Sequence, residues 1–318
     1  MQATQLSTIG LALALGCSSP SPRPPHASAG TVHVFTSGDA GFHTNSVWYD
    51  DGREVTVVDA QFTPELAEQV VADVRAKTRS PITRVIVTHP NPDKFNGLSV
   101  FHRLGARSIA SRKTAQAIPE VDRYKRAFWI GVAKAFTAET YPKVEPVQDT
   151  FDGQTTIRLA SGETLTLIEL AHPGVSSDQT VVRIDATGDL IVGDLVANHV
   201  HAWLEGGIVD GTPRPDLAGW QDDLRALPGL GHGLVYGGRG EPGPVAEVVA
   251  AELAYLAKAD AIVTAHVGSA SRAELTDPAK QQAHFHAIQD ELARAFPDYK
   301  DPDLVGYGVY GLVLSKLR

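Results

Sequence analysis

The segment 88–97, which reads THPNPDKFNG, constrains this chain more than any other stretch of its sequence. It follows an apolar, β-branched run at 84–88 and precedes a helical pattern at 98–105. A tight polar loop after a buried strand is a common place for functional side chains. At the spacing of a zinc site it carries His89, Asn91, Asp93 and Lys94. An amide and an ammonium are poor or impossible zinc ligands, so the loop indicates a metal site that is weakened or replaced.

Strand and helix patterns on both sides of this loop predict a mixed α/β fold. Thr63 and Pro64 have the residue types of a helix N-cap and a first helical residue. The strands cluster in two halves, each followed by helices. This order fits two sheets packed face to face with helices outside, although a doubly wound sheet would also satisfy it. The predicted hairpins lie at 45–60, 155–171 and 179–194, and the predicted helices at 63–78, 220–229, 245–267 and 281–296.

Three further loops follow predicted strands and carry polar, ligand-type residues. They read AHPGVSSD (171–178), VGDLVANHVH (192–201) and YGGRGEPGP (236–244). Together with HPNPDK (89–94), and in this order, they resemble the loops of the metallo-β-lactamase superfamily over roughly residues 31–262. That family's loops read HxHxDH, then an isolated His, then a GD aspartate, then GHG. The resemblance implies an αββα sandwich, here with a C-terminal helical extension at 263–318.

The resemblance also implies a set of metal positions. The residues at the first-zinc positions are His89, Asn91 and His172. Those at the second-zinc positions are Asp93, Lys94 and Arg239, with Asp194 as the bridging aspartate. A rival alignment would use His232 of GLGHG (229–233), but His232 precedes the predicted strand, whereas the family's GHG follows it.

Asn, Lys and Arg at these positions change the chemistry of the site. Arg effectively never loses its charge, and a protonated Lys cannot ligate a metal. Two fixed cations would repel a second divalent ion and could pair with Asp93 and Asp194 instead. We therefore expect ion pairs at the second site, and at most one zinc ion at the first, held by His89, Asn91, His172, Asp93 and Asp194.

Other residues resemble parts of the family's cleft. His43 lies on a loop that overhangs the site in this family, and His201 follows Asp194 closely enough to line the cavity. Both are candidate substrate contacts, although a loop or packing histidine is the plain alternative for each. Asp59 resembles the strand-end aspartate that supports the site from behind, and capping of the helix that begins near Thr63 is its plain alternative.

Two functions remain open on these residues. The first is a single-zinc hydrolase of a small ester, lactone, thioester or lactam. In it Asp93 or Asp194 would orient the metal-bound water, and Lys94 and Arg239 would stabilise an oxyanion. The second is a non-catalytic envelope lipoprotein that binds an anionic ligand in the same cleft. The retained histidines and aspartates favour the enzyme, whereas the three lost ligands favour the binding protein.

Composition and the N-terminus bear on location. A net charge of −9 argues against nucleic acid as a partner, and the single cysteine, Cys17, excludes an intrachain disulfide. Residues 6–17 are a short apolar run ending in Ala-Leu-Gly-Cys, which resembles a bacterial lipoprotein signal, and residues 18–30 read as a Pro/Ser-rich tether. We expect a signal peptide at 1–17, a lipid anchor on Cys17 as the membrane attachment, and an envelope location. A plain secretory signal is the alternative.

Overall fold

Two six-stranded sheets pack face to face in a computed structural model that describes residues 29–317. In spatial order the first sheet contains β1 (Thr31–Thr36), β2 (Asn45–Asp50), β3 (Val55–Val58), β4 (Ile82–Ile86), β5 (Arg107–Ser111) and β6 (Asp149–Phe151). The second contains β14 (Gly243–Pro244), β13 (Leu234–Gly240), β10 (Asp189–Asn198), β9 (Thr180–Ile184), β8 (Thr164–Glu169) and β7 (Gln154–Arg158). A small ribbon pairs β11 (Gly207–Val209) with β12 (Thr212–Arg214).

Helices cover the outer face of each sheet. The first group is α1 (Pro64–Lys77), α2 (Pro92–Phe95), α3 (Leu98–Arg103) and α4 (Arg112–Ala127), which continues into a π-helical turn at Phe128–Val132. The second is α5 (Leu217–Leu230), α6 (Val245–Ser269), α7 (Arg272–Thr276), α8 (Gln281–Ala295) and α9 (Asp303–Lys316). Within residues 29–317, no helix combines the length and apolar character that crossing a membrane requires.

Three apolar layers hold this arrangement together. Val47 and Ile86 of the first sheet meet Leu167 and Val182 of the second in the layer between the sheets. The outer face of the first sheet packs on α1 and α3, and that of the second packs on α5, α6, α8 and α9. The predicted αββα sandwich with a C-terminal helical part is confirmed.

Two details refine the prediction. Thr63 Oγ1 accepts a hydrogen bond from Leu66 N, so the cap of α1 forms where the sequence indicated it. The expected boundary at residue 262 falls inside α6, which is one continuous helix. The predicted signal peptide at 1–17 lies outside the described residues, as does the predicted tether up to residue 28.

Strand order brings the ligand-type loops together at one end of the sandwich. The parallel strands β3 and β4 end side by side, so Asp59 lies next to the loop that begins at Thr88. In the other sheet β10 runs parallel to β13 with a bulge after Gly193, whose φ is +52°. A Cβ on Gly193 would lie 2.3 Å from Thr88 Oγ1, so only glycine permits this close approach. The neighbouring Asp194 is thereby directed towards the loop of the first sheet.

Candidate functional site

Two aspartates and two cations form a closed ion-pair cluster at this end of the sandwich. Asp93 and Lys94 come from the short helix α2, Asp194 from β10 and Arg239 from β13. Lys94 Nζ lies 2.9 Å from Asp93 Oδ2 and 2.7 Å from Asp194 Oδ1. Arg239 places Nη2 3.1 Å from Asp93 Oδ2 and Nη1 2.6 Å from Asp194 Oδ2. Each cation therefore bridges both aspartates, and ion pairs at these positions are what we expected of a replaced second metal site.

The overhanging loop 38–44 completes the bonding of the cluster. Arg239 donates from Nε to the carbonyl of Phe42 at 3.0 Å and from Nη2 to Thr44 Oγ1 at 3.1 Å. Thr44 in turn donates its hydroxyl hydrogen to Asp93 Oδ2 at 2.9 Å. Lys94 is fully buried and Arg239 is 5% exposed, so the cluster depends on these bonds rather than on water. Thr44 had no signal in the sequence, since a threonine on a loop fits many roles.

Burial and charge act in opposite directions on these four groups. Burial alone would neutralise each of them, but the mutual attraction prevails. The cations Arg239 and Lys94 hold the pKa of Asp194 well below its ordinary range, and Lys94 lowers that of Asp93. The two aspartates raise the pKa of Lys94 and of Arg239. All four groups are therefore charged near neutral pH, and their charges cancel.

His89 lies beneath the cluster as a neutral side chain. It is fully buried, and burial lowers its pKa to about 4. Its Nδ1 lies 2.9 Å from Thr88 Oγ1, and Thr88 donates its hydroxyl hydrogen to Asp59. The imidazole therefore donates from Nδ1 and presents an acceptor at Nε2, 3.8 Å from Asp194 Oδ2. Burial also raises the pKa of Asp59 to about 7, although Lys94 and Thr88 act against this rise. As expected, Asp59 supports the site from behind.

The remaining candidate zinc ligands do not complete a metal site. His172 is exposed; its backbone N donates to Asp223 Oδ1, and its Cβ lies beside Gly219 of α5. Asn91 lines the cleft but offers only an amide. A catalytic zinc ion takes three protein ligands, and both aspartates here already serve two cations. Among residues 29–317, no group of three or more His, Cys, Asp or Glu side chains is arranged to hold a metal ion. As arranged here, the residues present therefore do not form a zinc site.

Three other histidines are placed away from the cluster. The structure corrects the expectation for His201, which is fully buried and packs its ring on Tyr255 and Tyr299. His43 contacts Asp301 and Asp39 rather than the cleft, although its neighbour Phe42 does line the cleft. His232 is exposed beside Gly188, at the start of β13, so Arg239 is the residue that reaches Asp194.

An aromatic cover closes the cleft above the cluster. Phe42, Phe62, Trp129 and Trp203 line a cavity of about 30 Å³, which has room for roughly two water molecules. Trp129 belongs to the π-helical turn after α4. Lys125 also lines this cavity and pairs with the buried Glu205. No sequence signal pointed to that pair, because its members are 80 residues apart.

A family model of the metallo-beta-lactamase superfamily matches residues 39–239. The match spans more than half of the chain, and the chain belongs to this superfamily. The fold is similar to a metallo-beta-lactamase from Pontibacter korlensis, with a TM-score of 0.53 and 20% identity over 72% of this chain and 95% of that chain. DIM-1 metallo-beta-lactamase gives a TM-score of 0.52 and 18% identity over 72% and 92% of the two chains. Superfamily members usually bind zinc, so the donor set described above is a departure from the common pattern.

Proposed function

We propose that this protein is a metal-free, non-catalytic member of the superfamily that binds a small molecule. The observation that carries the proposal is the bridging of Asp93 and Asp194 by both Lys94 and Arg239, at the positions where the family resemblance places the second metal and its bridging ligand. Because two positive and two negative charges cancel, the cluster itself does not attract an anion. The arrangement therefore favours an uncharged ligand over the anionic ligand of the second hypothesis from the sequence.

Metal content tests this proposal most directly. The protein is purified without added zinc, dialysed against zinc, and then freed of unbound zinc. We expect it to hold far less than one bound zinc ion per chain. The same samples should not hydrolyse a β-lactam, a lactone, an aryl ester or a thioester above the rate in buffer. The variant carrying Lys94→His and Arg239→His serves as the positive control for metal uptake. A wild-type content near two ions per chain would contradict the ion-pair account.

One observation favours the single-zinc hydrolase as a second candidate. His89 Nε2 is buried and has no hydrogen-bond partner within the described residues, and it points towards Asp194. Such an orphaned acceptor is a natural ligand atom. A content near one ion per chain that His89→Ala abolishes, together with turnover of any of the four substrates, would establish this candidate in place of the first.

We also propose that the mature chain is attached to the membrane of the cell envelope by a lipid on Cys17. The short apolar run that ends at this cysteine supports the proposal. We expect the wild-type protein to fractionate with membranes and Cys17→Ser to lose both processing at that position and membrane attachment. A Cys17→Ser protein that is still processed there and stays membrane-bound would exclude a lipid anchor.

A further inference from the structure

A second and much larger cavity lies outside the aromatic cover. It measures about 530 Å³ and lies between the α4–π-turn segment and the C-terminal helices α8 and α9. This volume is within the usual range of small-molecule sites, which are concave and mostly apolar. Its walls carry the rings of Phe128, Phe285, Tyr124, Tyr307 and Tyr310. The cavity is thus a built, aromatic compartment rather than a surface irregularity.

The rim of this cavity leaves large apolar side chains in water. Val132 is 65% exposed and Tyr307 is 45% exposed, and both line the cavity. Isolated exposed apolar residues are ordinary, but two at the mouth of one aromatic cavity indicate a binding surface. Three other cavities of 300 to 450 Å³ are lined by mixed or polar side chains, such as the one around Asp216, Asp260 and Lys316. Of these four, the aromatic cavity is the best suited to an apolar ligand.

The charge in the cavity wall is already neutralised. Glu205 is 5% exposed and accepts hydrogen bonds from Tyr124 Oη at 3.0 Å and Trp203 Nε1 at 2.9 Å. Lys125 pairs with the same carboxylate and lies 4.6 Å from the centre of the Trp203 ring. A charged ligand would have to be buried without a partner, at a large cost in desolvation. The lining thus selects against ions and in favour of an uncharged molecule.

A single layer of side chains separates this cavity from the cleft above the ion-pair cluster. The Tyr307 ring centre lies 6.2 Å from that of Trp129 and 6.4 Å from that of Phe42, and both of these residues line the cleft. Lys125 lines the cleft while its partner Glu205 lines the larger cavity. A ligand in the larger cavity would therefore contact the wall that also covers the degenerate metal site.

We propose that the cavity between α4 and the helices α8 and α9 is a binding site for an uncharged, largely apolar small molecule with an aromatic part. Aromatic rings would stack on the tyrosine and phenylalanine walls, and the Gln281 and Gln282 amides would hydrogen-bond a polar group of the ligand. This inference rests on the proposed function, because both treat the protein as one that binds a small molecule without converting it. The two proposals fail separately, because metal content tests the first and ligand binding tests the second.

Titration with N-phenyl-1-naphthylamine, an uncharged aromatic dye, tests the site on the purified protein. We expect saturable dye fluorescence and energy transfer from nearby tryptophans. Ala127→Trp would fill the cavity from α4 and should weaken binding at least about tenfold. Ala127 is exposed, so the fold should tolerate the larger side chain. Val132→Arg, which places a charge at the rim, should act in the same direction. Ala138→Trp, at another exposed alanine in a turn outside the lining, is the matched control and should leave affinity unchanged.

Three outcomes would overturn the proposal. The first is the absence of saturable binding to the wild-type protein. The second is a dye affinity of the Ala127→Trp and Val132→Arg variants that equals the affinity of the Ala138→Trp control. The third is dye binding that weakens as the protein concentration is raised, in parallel with dimer formation measured by light scattering. A second copy of the chain would then occupy the cavity.

Discussion

Replacing Arg239 by alanine should lower the free energy of unfolding by about 3–5 kcal/mol, because the change leaves two buried carboxylates with half of their counter-charge. Lys94→Met should have an effect of similar size, since Lys94 is fully buried and bonded to the same two aspartates. Urea denaturation at fixed pH and ionic strength measures both effects.

The matched control for this prediction is an exposed ion pair. Arg103 pairs with Glu68 at 3.1 Å, but both side chains are more than half exposed. Exposed pairs contribute little, so Arg103→Ala should scarcely change stability. If Arg239→Ala were as mild as Arg103→Ala, the cluster would not be the closed, mutually dependent unit that its distances indicate.

Replacing Lys94 and Arg239 together by histidine should make stability depend on zinc. The double variant would place two imidazoles beside Asp93 and Asp194 and so recreate a ligand set that zinc accepts. An ion that binds only the folded state stabilises it by mass action, by about 2.7 kcal/mol when free zinc is a hundred times Kd. Thermal melts with and without zinc measure the effect, and the wild-type melt should not respond.

The control for the double variant is Lys94→Gln with Arg239→Gln, which removes the same charges but supplies weak ligands. Adding Asn91→His to the histidine variant should tighten metal binding only modestly. His172, the other candidate ligand at the first metal position, is exposed beside α5 and so does not join the site. A histidine variant whose melt ignores zinc would mean that positions 94 and 239 do not correspond to the second metal site.

The secondary-structure elements were predictable from local signals, whereas the sandwich and the ion pairs were predictable from the resemblance of the ordered loops to the superfamily. Strand patterns and the cap at Thr63 locate elements without knowledge of the tertiary structure. The resemblance of the ordered loops to the superfamily implies that Lys94, Arg239, Asp93 and Asp194 lie together, and buried opposite charges are expected to pair. The Lys94–Asp194 contact, 100 residues apart in sequence, agrees with that expectation.

Other parts of the site depend on long-range packing and left no local signal. His172 and His201 keep the sequence context of site residues, but neighbouring helices and rings determine where their side chains lie. Helix α9 contains Gly306, Gly308 and Gly311, which weaken helical propensity. A Cβ on Gly311 would lie 2.0 Å from the Glu205 carbonyl oxygen, so the glycine permits the close packing that builds the larger cavity. Such a compensation cannot be read from a single sequence.

The double bridging in the cluster also has an evolutionary consequence. A histidine substitution at position 94 or 239 alone would remove one cation without supplying enough ligands for a metal, and so should destabilise the fold before any zinc could compensate. A stepwise path from this arrangement to a zinc-binding one therefore passes through a variant that we expect to be less stable than the present chain. Folding stability would thus oppose the gain of a metal at these positions, even where zinc is plentiful.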